Sequence, residues 1–288
     1  MKKLIWITSA LFAGSLHGQE LTQYLSAIAP ALPKLELRLE GKELGIFSNL
    51  SNGFFKPRGT GPFPVVVLGH TCGGVKEPHL KERARELLDA GFAVMILDSF
   101  GPRGLPQCRG QTVITSNGTV RDAYQALDAL ATVADVDKSR IYFSGYSWGG
   151  VVAPMLASPQ SSQLFGSGLR FRALVSNYGG CSYLIKTGGR RIIYLAPDVD
   201  RPLLMLLAGN DKEFNPGDCF PLMQEMKAVG KSVEWHVYEG VHHAWDQSNH
   251  RGNYSVVTGS GETNVYLYNE PATRDSSRRM VDFFNLHR

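Results

Sequence analysis

A serine in a glycine-rich turn is the first residue of this sequence that could do chemistry. Residues 145–149 read Gly-Tyr-Ser-Trp-Gly, between the apolar runs 141–143 and 151–156. A strand, a sharp turn and a helix in that order form a nucleophile elbow. In such an elbow the serine backbone is strained and the hydroxyl stands above the carboxyl end of the sheet. Ser147 is therefore the candidate nucleophile.

A serine hydroxyl becomes a good nucleophile only with a base within hydrogen-bond reach and a group that orients the base. After an elbow of this kind the usual chain order is serine, acid, histidine, each on a loop that follows a strand. Asp211 is the first carboxylate after the apolar run 203–207 and is the predicted acid. Glu213 remains the alternative, and for either residue the ordinary role is a solvated loop charge.

Two adjacent histidines, His242 and His243, follow the alternating run 233–238, which we interpret as a strand. Their side chains must point in different directions, so at most one of them can be the base. The other is expected to be an ordinary core or surface histidine. The residues alone do not choose between the two.

The reaction would also need two backbone N–H groups aimed at a developing oxyanion. One is expected from Trp148, directly after the serine. The other is expected from the loop after the apolar run 65–68, most simply from Cys72. The glycine pair 73–74 would let the backbone approach a substrate there, although it could be a plain glycine turn.

Three further residues are candidates for substrate contact. Arg103 could bind an anionic part of a substrate, because guanidinium groups suit carboxylates. An ion pair within its own loop is the alternative that we favour for it. Tyr146 and Trp245, together with Trp148, could line an apolar acyl pocket or could be plain core.

Strand and helix patterns alternate along the chain, which predicts an α/β fold with a mostly parallel central sheet and helices on both faces. The predicted strands cover 35–40, 65–68, 92–97, 141–143, 173–176, 203–207 and 233–238. The predicted helices cover 78–90, 119–133, 223–229 and 273–286, and a fifth begins at 151. The polar, Gly/Ser-rich stretch 249–264 is predicted to be a surface loop.

With these motifs in place, the chain resembles the dienelactone hydrolase family of α/β-hydrolases from about residue 45 to its end. The matching pieces are 64–74, 98–104, 137–141, 145–150, 211–219, 238–245 and 268–272. The resemblance implies the α/β-hydrolase fold and ester or lactone hydrolysis. It selects His243 as the base, three residues after Gly240, and Cys72 as the first oxyanion donor.

This sequence departs from the founding members of that family at two places. They have a cysteine in the elbow, where this chain has Ser147, and a glutamate before the oxyanion donor, where it has Thr71. The resemblance therefore implies a serine-nucleophile variant without the thiol mechanism. The acid loop is also one residue shorter than in many relatives, which keeps Glu213 open beside Asp211.

Charge and composition limit the other functions. The formal net charge is +4, and it falls to +2 without Lys2 and Lys3, so nothing favours a nucleic-acid partner. Residues 1–18 have the basic start, apolar run and small residues of a bacterial secretory signal. We expect its removal to leave a single domain over 19–288, periplasmic or secreted and free of the membrane.

Export would place Cys72, Cys108, Cys181 and Cys219 in an oxidising compartment. Four cysteines allow three pairings, and the sequence does not choose among them. Buried free thiols are the alternative. The cysteine spacing does not suggest a metal site.

The sequence thus predicts a serine-dependent hydrolase of small carboxylic esters or lactones that needs no metal or organic cofactor. An acyltransferase and a peptidase could share the same three residues. A non-catalytic binding protein on this fold is the alternative from a different class.

Overall fold

The computed structural model describes residues 34–76, 78–108, 115–185, 190–250, 254–258 and 261–288. The predicted signal at 1–18 and the predicted domain start at 19 lie outside these ranges. From Leu35 to Arg288 the chain forms a single unit by its internal contacts. In the described ranges, no helix combines the length and apolar character needed to cross a membrane.

The apolar runs of the sequence form the strands of an eight-stranded central sheet. Its strands are β1 (Arg38–Lys42), β2 (Gly53–Phe55), β3 (Phe63–Gly69), β4 (Ala93–Leu97), β5 (Val136–Tyr146), β6 (Leu174–Asn177), β9 (Leu203–Ala208) and β10 (Val233–Tyr238). The spatial order is β1-β2-β4-β3-β5-β6-β9-β10. All neighbours are parallel except β2 and β4, which are antiparallel.

Helices cover both faces of the sheet. They are α1 (Pro78–Asp89), α2 (Ser116–Leu130), α3 (Trp148–Leu156), α4 (Pro159–Phe165), α5 (Phe220–Ala228) and α6 (Glu270–Leu286). Alternate side chains of β3 face opposite ways: Val65 and Val67 pack with α2, α3 and α5. Val66 and Leu68 pack with α1 and α6 on the other face. Both faces are thus buried, as the continuous apolar runs predict.

Two small antiparallel hairpins stand outside the central sheet. They are β7 (Ser182–Ile185) with β8 (Arg190–Ile193), and β11 (Tyr254–Val257) with β12 (Thr263–Tyr266). The prediction of a surface loop over 249–264 is therefore wrong. Its Gly and Ser residues surround two short β-prone segments, Tyr254–Val257 and Thr263–Tyr266, that pair with each other.

The four cysteines form two disulfides. Cys72 pairs with Cys108, 36 residues later, and Cys181 pairs with Cys219, 38 residues later. The first ties the loop after β3 to the segment after β4. The second ties the segment before β7 to the start of α5.

Candidate active site

The turn between β5 and α3 is a strained elbow. Ser147 has φ 51° and ψ −104°, a conformation that side-chain-bearing residues rarely adopt. The turn is so tight that a Cβ at Gly145 would overlap the carbonyl of Gly149, so that position requires glycine. The Ser147 N–H donates to the Asn177 carbonyl oxygen at 3.0 Å. The elbow therefore holds the Ser147 hydroxyl in one position, at the carboxyl end of the sheet.

Three residues predicted from the sequence meet at this edge. His243 Nε2 lies 2.9 Å from Ser147 Oγ, and His243 Nδ1 lies 2.7 Å from Asp211 Oδ2. Asp211 follows β9 and His243 follows β10, so the carboxyl ends of parallel strands deliver all three. We call Ser147, Asp211 and His243 the rim.

The Asp211 carboxylate is held on both of its oxygens. Oδ1 accepts the backbone N–H groups of Glu213 at 2.8 Å and Phe214 at 3.0 Å. Oδ2 is thereby aimed at His243 Nδ1, where a carboxylate acceptor selects the tautomer with a proton on Nδ1. In that tautomer Nε2 is a hydrogen-bond acceptor that faces the Ser147 hydroxyl.

The environment of His243 favours its charged form. Burial alone lowers the pKa of its imidazole, but the charges of Asp211 and Glu213, the Asp211 hydrogen bond and the more distant charge of Asp246 outweigh it and raise the pKa above 6.5. Negative groups around an imidazole stabilise an imidazolium. Such a site stabilises a positive charge on the His243 imidazole.

Glu213 and His242 occupy different places from the rim residues. Glu213 Oε2 lies 3.8 Å from Nε2 of His243, on the serine side of the ring, and not at Nδ1 where an orienting acid belongs. His242 does not line the cavity, and its Nδ1 is a buried atom without a hydrogen-bond partner. The geometry thus distinguishes Asp211 from Glu213 and His243 from His242.

The predicted oxyanion donors lie on either side of the serine. Trp148 is the first residue of α3, where backbone N–H groups have no partner within the helix. On the other side, the imidazole of His70 lies with Nδ1 2.7 Å from the Thr71 carbonyl oxygen, while the Ser99 N–H donates to its Nε2. Because that carbonyl and the Cys72 N–H share one peptide group and point in opposite directions, the hydrogen bond orients the Cys72 N–H.

Two further contacts fix this oxyanion loop. The Gly149 N–H donates to the His70 carbonyl oxygen at 2.9 Å, which links the loop to the elbow. The Cys108 N–H donates to the Cys72 carbonyl oxygen, also at 2.9 Å, beside the disulfide that joins the same two residues. The loop that carries Cys72 is therefore anchored on both sides.

A cavity of about 210 Å³ opens in front of Ser147. Ser147, His243, Cys72 and Glu213 line it. His250, Tyr254 and Tyr266 also line it, and we call these three residues the hairpin wall. The three rings contact one another with centroids 5.3 to 5.7 Å apart. A site of this size suits a small molecule rather than a folded polymer.

The three residues predicted to contact substrate, Arg103, Tyr146 and Trp245, lie outside the cavity lining. Arg103 makes a two-pronged ion pair with Asp122 at 2.7 and 2.9 Å, both side chains almost fully buried. Its partner is on α2 rather than in its own loop. Tyr146 and Trp245 are core residues, with the Tyr146 hydroxyl near Met280 Sδ and the Trp245 N–H donated to Ser276. None of the three lines the cavity, which corrects their predicted role.

Sequence reasoning missed most of the cavity lining. Gln107, Gln247 and the hairpin wall all line the cavity, yet they carry no motif. The only signal was the aromatic content of the stretch after residue 250, with Tyr254 and Tyr266 in an otherwise polar segment. Among the described residues, no group of three or more His, Cys, Asp or Glu side chains is arranged to hold a metal ion.

Comparison with known proteins points to one family. The dienelactone hydrolase family model matches residues 52–288. A Salmonella typhi protein named "Putative carboxymethylenebutenolidase" is 23% identical over 280 residues, which covers 91% of this chain and 94% of that protein. The match thus extends over nearly the whole length of both sequences.

Solved structures share the fold. A Klebsiella pneumoniae protein named "Putative Dienelactone Hydrolase" superposes with a TM-score of 0.60 at 19% identity, covering 81% of this chain and 91% of that one. A thermophilic esterase from Thermogutta terrifontis, with propionate bound, gives a TM-score of 0.56 at 13% identity over 86% and 95%. Taken with the family match over residues 52–288, this chain belongs to the dienelactone hydrolase family, whose members are α/β-hydrolase-fold carboxylic ester hydrolases.

Proposed function

We propose that this protein hydrolyses small carboxylic esters or lactones through an acyl-enzyme on Ser147. The observation that carries the proposal is the unbroken chain of contacts from Ser147 Oγ to His243 and on to Asp211, at 2.9 and 2.7 Å. This arrangement activates a hydroxyl that is otherwise a weak nucleophile.

The proposed reaction has two halves. Ser147 Oγ attacks the ester carbonyl while His243 Nε2 takes its proton, and the imidazolium then gives that proton to the departing alcohol. Asp211 stabilises the imidazolium without taking a proton itself. Water then attacks the acyl group with His243 as the base, and Ser147 recovers its proton as the carboxylic acid leaves.

The amides of Cys72 and Trp148 are proposed to hold the oxyanion in both halves. Each such donor contributes about 3 kcal/mol of barrier lowering. The hydrogen-bonded peptide before Cys72 and the place of Trp148 at the first position of α3 support this assignment. All steps use side chains and amides of this chain, so the proposed mechanism assigns no step to a metal or organic cofactor.

Two alternatives keep the same three residues. An acyltransferase would pass the acyl group to another alcohol, and a peptidase would cleave an amide. The open cavity beside Ser147 admits water, which supports hydrolysis over transfer. A binding protein would have no use for the strained serine and its paired histidine.

We also propose that residues 1–18 direct export and that the mature protein is periplasmic or secreted. The two disulfides support this, because disulfides persist in oxidising compartments and are rare in the bacterial cytoplasm. The N-terminal sequence of the protein recovered from the periplasm or medium would test this proposal. A mature chain that retains residue 1 would contradict it.

Turnover of p-nitrophenyl butyrate by wild type and Ser147→Ala tests the proposed function. We expect the variant to keep the wild-type circular dichroism spectrum and melting temperature while kcat/KM falls to background. A folded Ser147→Ala protein with wild-type turnover would refute the proposed nucleophile.

A further inference from the structure

Glu213 is a second carboxylate at the active site, apart from the one that orients His243. Its Oε2 lies 3.8 Å from His243 Nε2, and its side chain lines the cavity with 18% of its surface exposed. Asp211 approaches the same imidazole from the opposite edge, at Nδ1. A carboxylate at Nε2 faces the space in which the ester must react.

Two contacts hold Glu213 in that position. The Tyr266 hydroxyl donates to Oε2 at 2.6 Å, and the Glu213 backbone N–H donates to Asp211 Oδ1 at 2.8 Å. Tyr266 itself is buried and packs its ring on His243, with centroids 5.3 Å apart. The carboxylate is therefore a fixed charge and not a mobile surface group.

The position of Glu213 matters for the alcohol side of the ester in particular. In the proposed reaction, Nε2 of His243 delivers the proton to the oxygen of the departing alcohol, so that oxygen must come within hydrogen-bond distance of Nε2. An atom that close to Nε2 is also close to Glu213 Oε2. The alcohol side of the ester thus passes beside a negative charge.

The described lining offers no positive side chain of fixed charge to balance Glu213. Among the described residues, neither a lysine nor an arginine lines the cavity. Arg103, the predicted anion-binding residue, is held by Asp122 in the core. In a partly closed cavity, a charge pair a few ångströms apart interacts more strongly than in bulk water.

We propose that Glu213, held by Tyr266, makes this enzyme selective for esters of uncharged or cationic alcohols and against esters of anionic alcohols. The proposal rests on the ester hydrolysis proposed above. Glu213 acts on the substrate by its charge, in addition to its electrostatic effect on His243, whereas Asp211 hydrogen-bonds the imidazole and does not line the cavity.

A matched pair of esters isolates this effect. Acetylcholine and 3,3-dimethylbutyl acetate have nearly the same shape, but only the first carries a positive charge on its alcohol. The measured quantity is the ratio of their kcat/KM values in wild type, Glu213→Gln and Glu213→Asp. Any general damage to the site affects both esters and cancels in the ratio.

We expect the wild-type ratio to favour acetylcholine and to fall about tenfold in Glu213→Gln, since one unit charge is removed at close range. Glu213→Asp should keep most of the preference because it keeps the charge. In wild type, raising the salt from 0.01 to 1 M should reduce the ratio, since the Debye length falls from about 30 to 3 Å. The salt series needs no variant to fold.

The outcomes separate the two proposals. If Ser147-dependent turnover is present but the ratio stays within twofold in Glu213→Gln and across the salt series, the charge selectivity is refuted and the hydrolase function stands. If wild type turns over neither ester through Ser147, the proposed function fails and the selectivity fails with it.

Discussion

Two residues of the rim, Ser147 and His243, line the same cavity as the hairpin wall, but different parts of the fold build the rim and the wall. Ser147, Asp211 and His243 each follow a strand of the central sheet, and each is at most 5% exposed. Tyr254, on the small hairpin β11–β12, is 52% exposed. A buried group on a sheet end has one position, whereas a side chain on a surface hairpin can vary with little cost to the core. We therefore propose that the rim carries the chemistry, and that the wall, together with Glu213, which Tyr266 holds, carries the choice of substrate.

The largest expected effect is that of removing His243, the proposed base. His243→Ala should lower kcat/KM for p-nitrophenyl butyrate by about 10⁴- to 10⁶-fold, as loss of the base does in a serine triad. The matched control is His242→Ala, which removes the adjacent imidazole and should keep most of the activity. The measurement is steady-state kinetics of both variants. An inactive His242→Ala variant beside an active His243→Ala variant would reverse our assignment of the base.

The next largest effect is expected when the two carboxylates around His243 are replaced one at a time and compared. Asp211→Asn should keep the geometry but favour the wrong imidazole tautomer, and kcat should fall by about 10⁴-fold. Glu213→Gln should lower kcat for an uncharged ester far less. If the two variants lose activity to a similar degree on p-nitrophenyl butyrate, Glu213 shares the role that we give to Asp211 alone.

The first disulfide is expected to support the loop that carries the Cys72 N–H, and the second is not. Replacing Cys72 and Cys108 together by serine should cost about 2–4 kcal/mol of unfolding free energy. It should also lower kcat about tenfold, because the loop that carries the Cys72 N–H loses an anchor. Replacing Cys181 and Cys219 is the control, with a similar loss of stability but near-normal kcat. Urea unfolding and kcat measured on the same preparations separate the two effects; equal kcat losses would contradict the comparison.

The pH profile gives a smaller effect. The proposed base must be neutral, so activity is lost as the pH falls through the pKa of His243, which Asp211, Glu213 and Asp246 together raise above 6.5. Glu213→Gln removes one of these charges and should move the acid limb of kcat/KM to lower pH. The measurement is kcat/KM from pH 5 to 9 with an uncharged ester. A limb that stays in place or moves upward would mean that Glu213 does not act on His243.

The smallest expected effect is that of a substitution in the hairpin wall. Tyr254→Ala removes an exposed ring from the hairpin, and we expect KM to rise by less than tenfold with kcat nearly unchanged, since the rim is untouched. Circular dichroism serves as the control for folding. A large loss of kcat in this variant would place the wall in the chemistry and remove the contrast with the rim.

The same contrast explains what the sequence could predict. Ser147, Asp211 and His243 follow strands whose apolar runs are visible in the sequence, so their order in the chain was enough to place them at one edge. The choice of His243 over His242 needed the family resemblance. Strand ends were misplaced by a few residues, since β5 extends from Val136 to Tyr146 around its apolar centre.

The wall and the substrate contacts could not be predicted in the same way. Tyr254 and Tyr266 reach the cavity through the pairing of two four-residue strands, and no local pattern reports where such a hairpin packs. The sequence favoured an ion pair of Arg103 within its own loop, but it could not identify the partner, because Asp122 lies 19 residues later on another element. The role of Glu213 depends on its position relative to Nε2 of His243, which only the three-dimensional arrangement shows.

The reactivity of Ser147 is the central claim, and covalent labelling tests it most directly. The wild-type protein is incubated with diisopropyl fluorophosphate, and intact-mass and peptide mass spectrometry then locate the adduct. We predict one adduct per chain, on the peptide that contains Ser147, and its loss in His243→Ala. A fully active protein that takes up no adduct, or takes it up at another residue while Ser147 stays unmodified, would contradict the proposed mechanism.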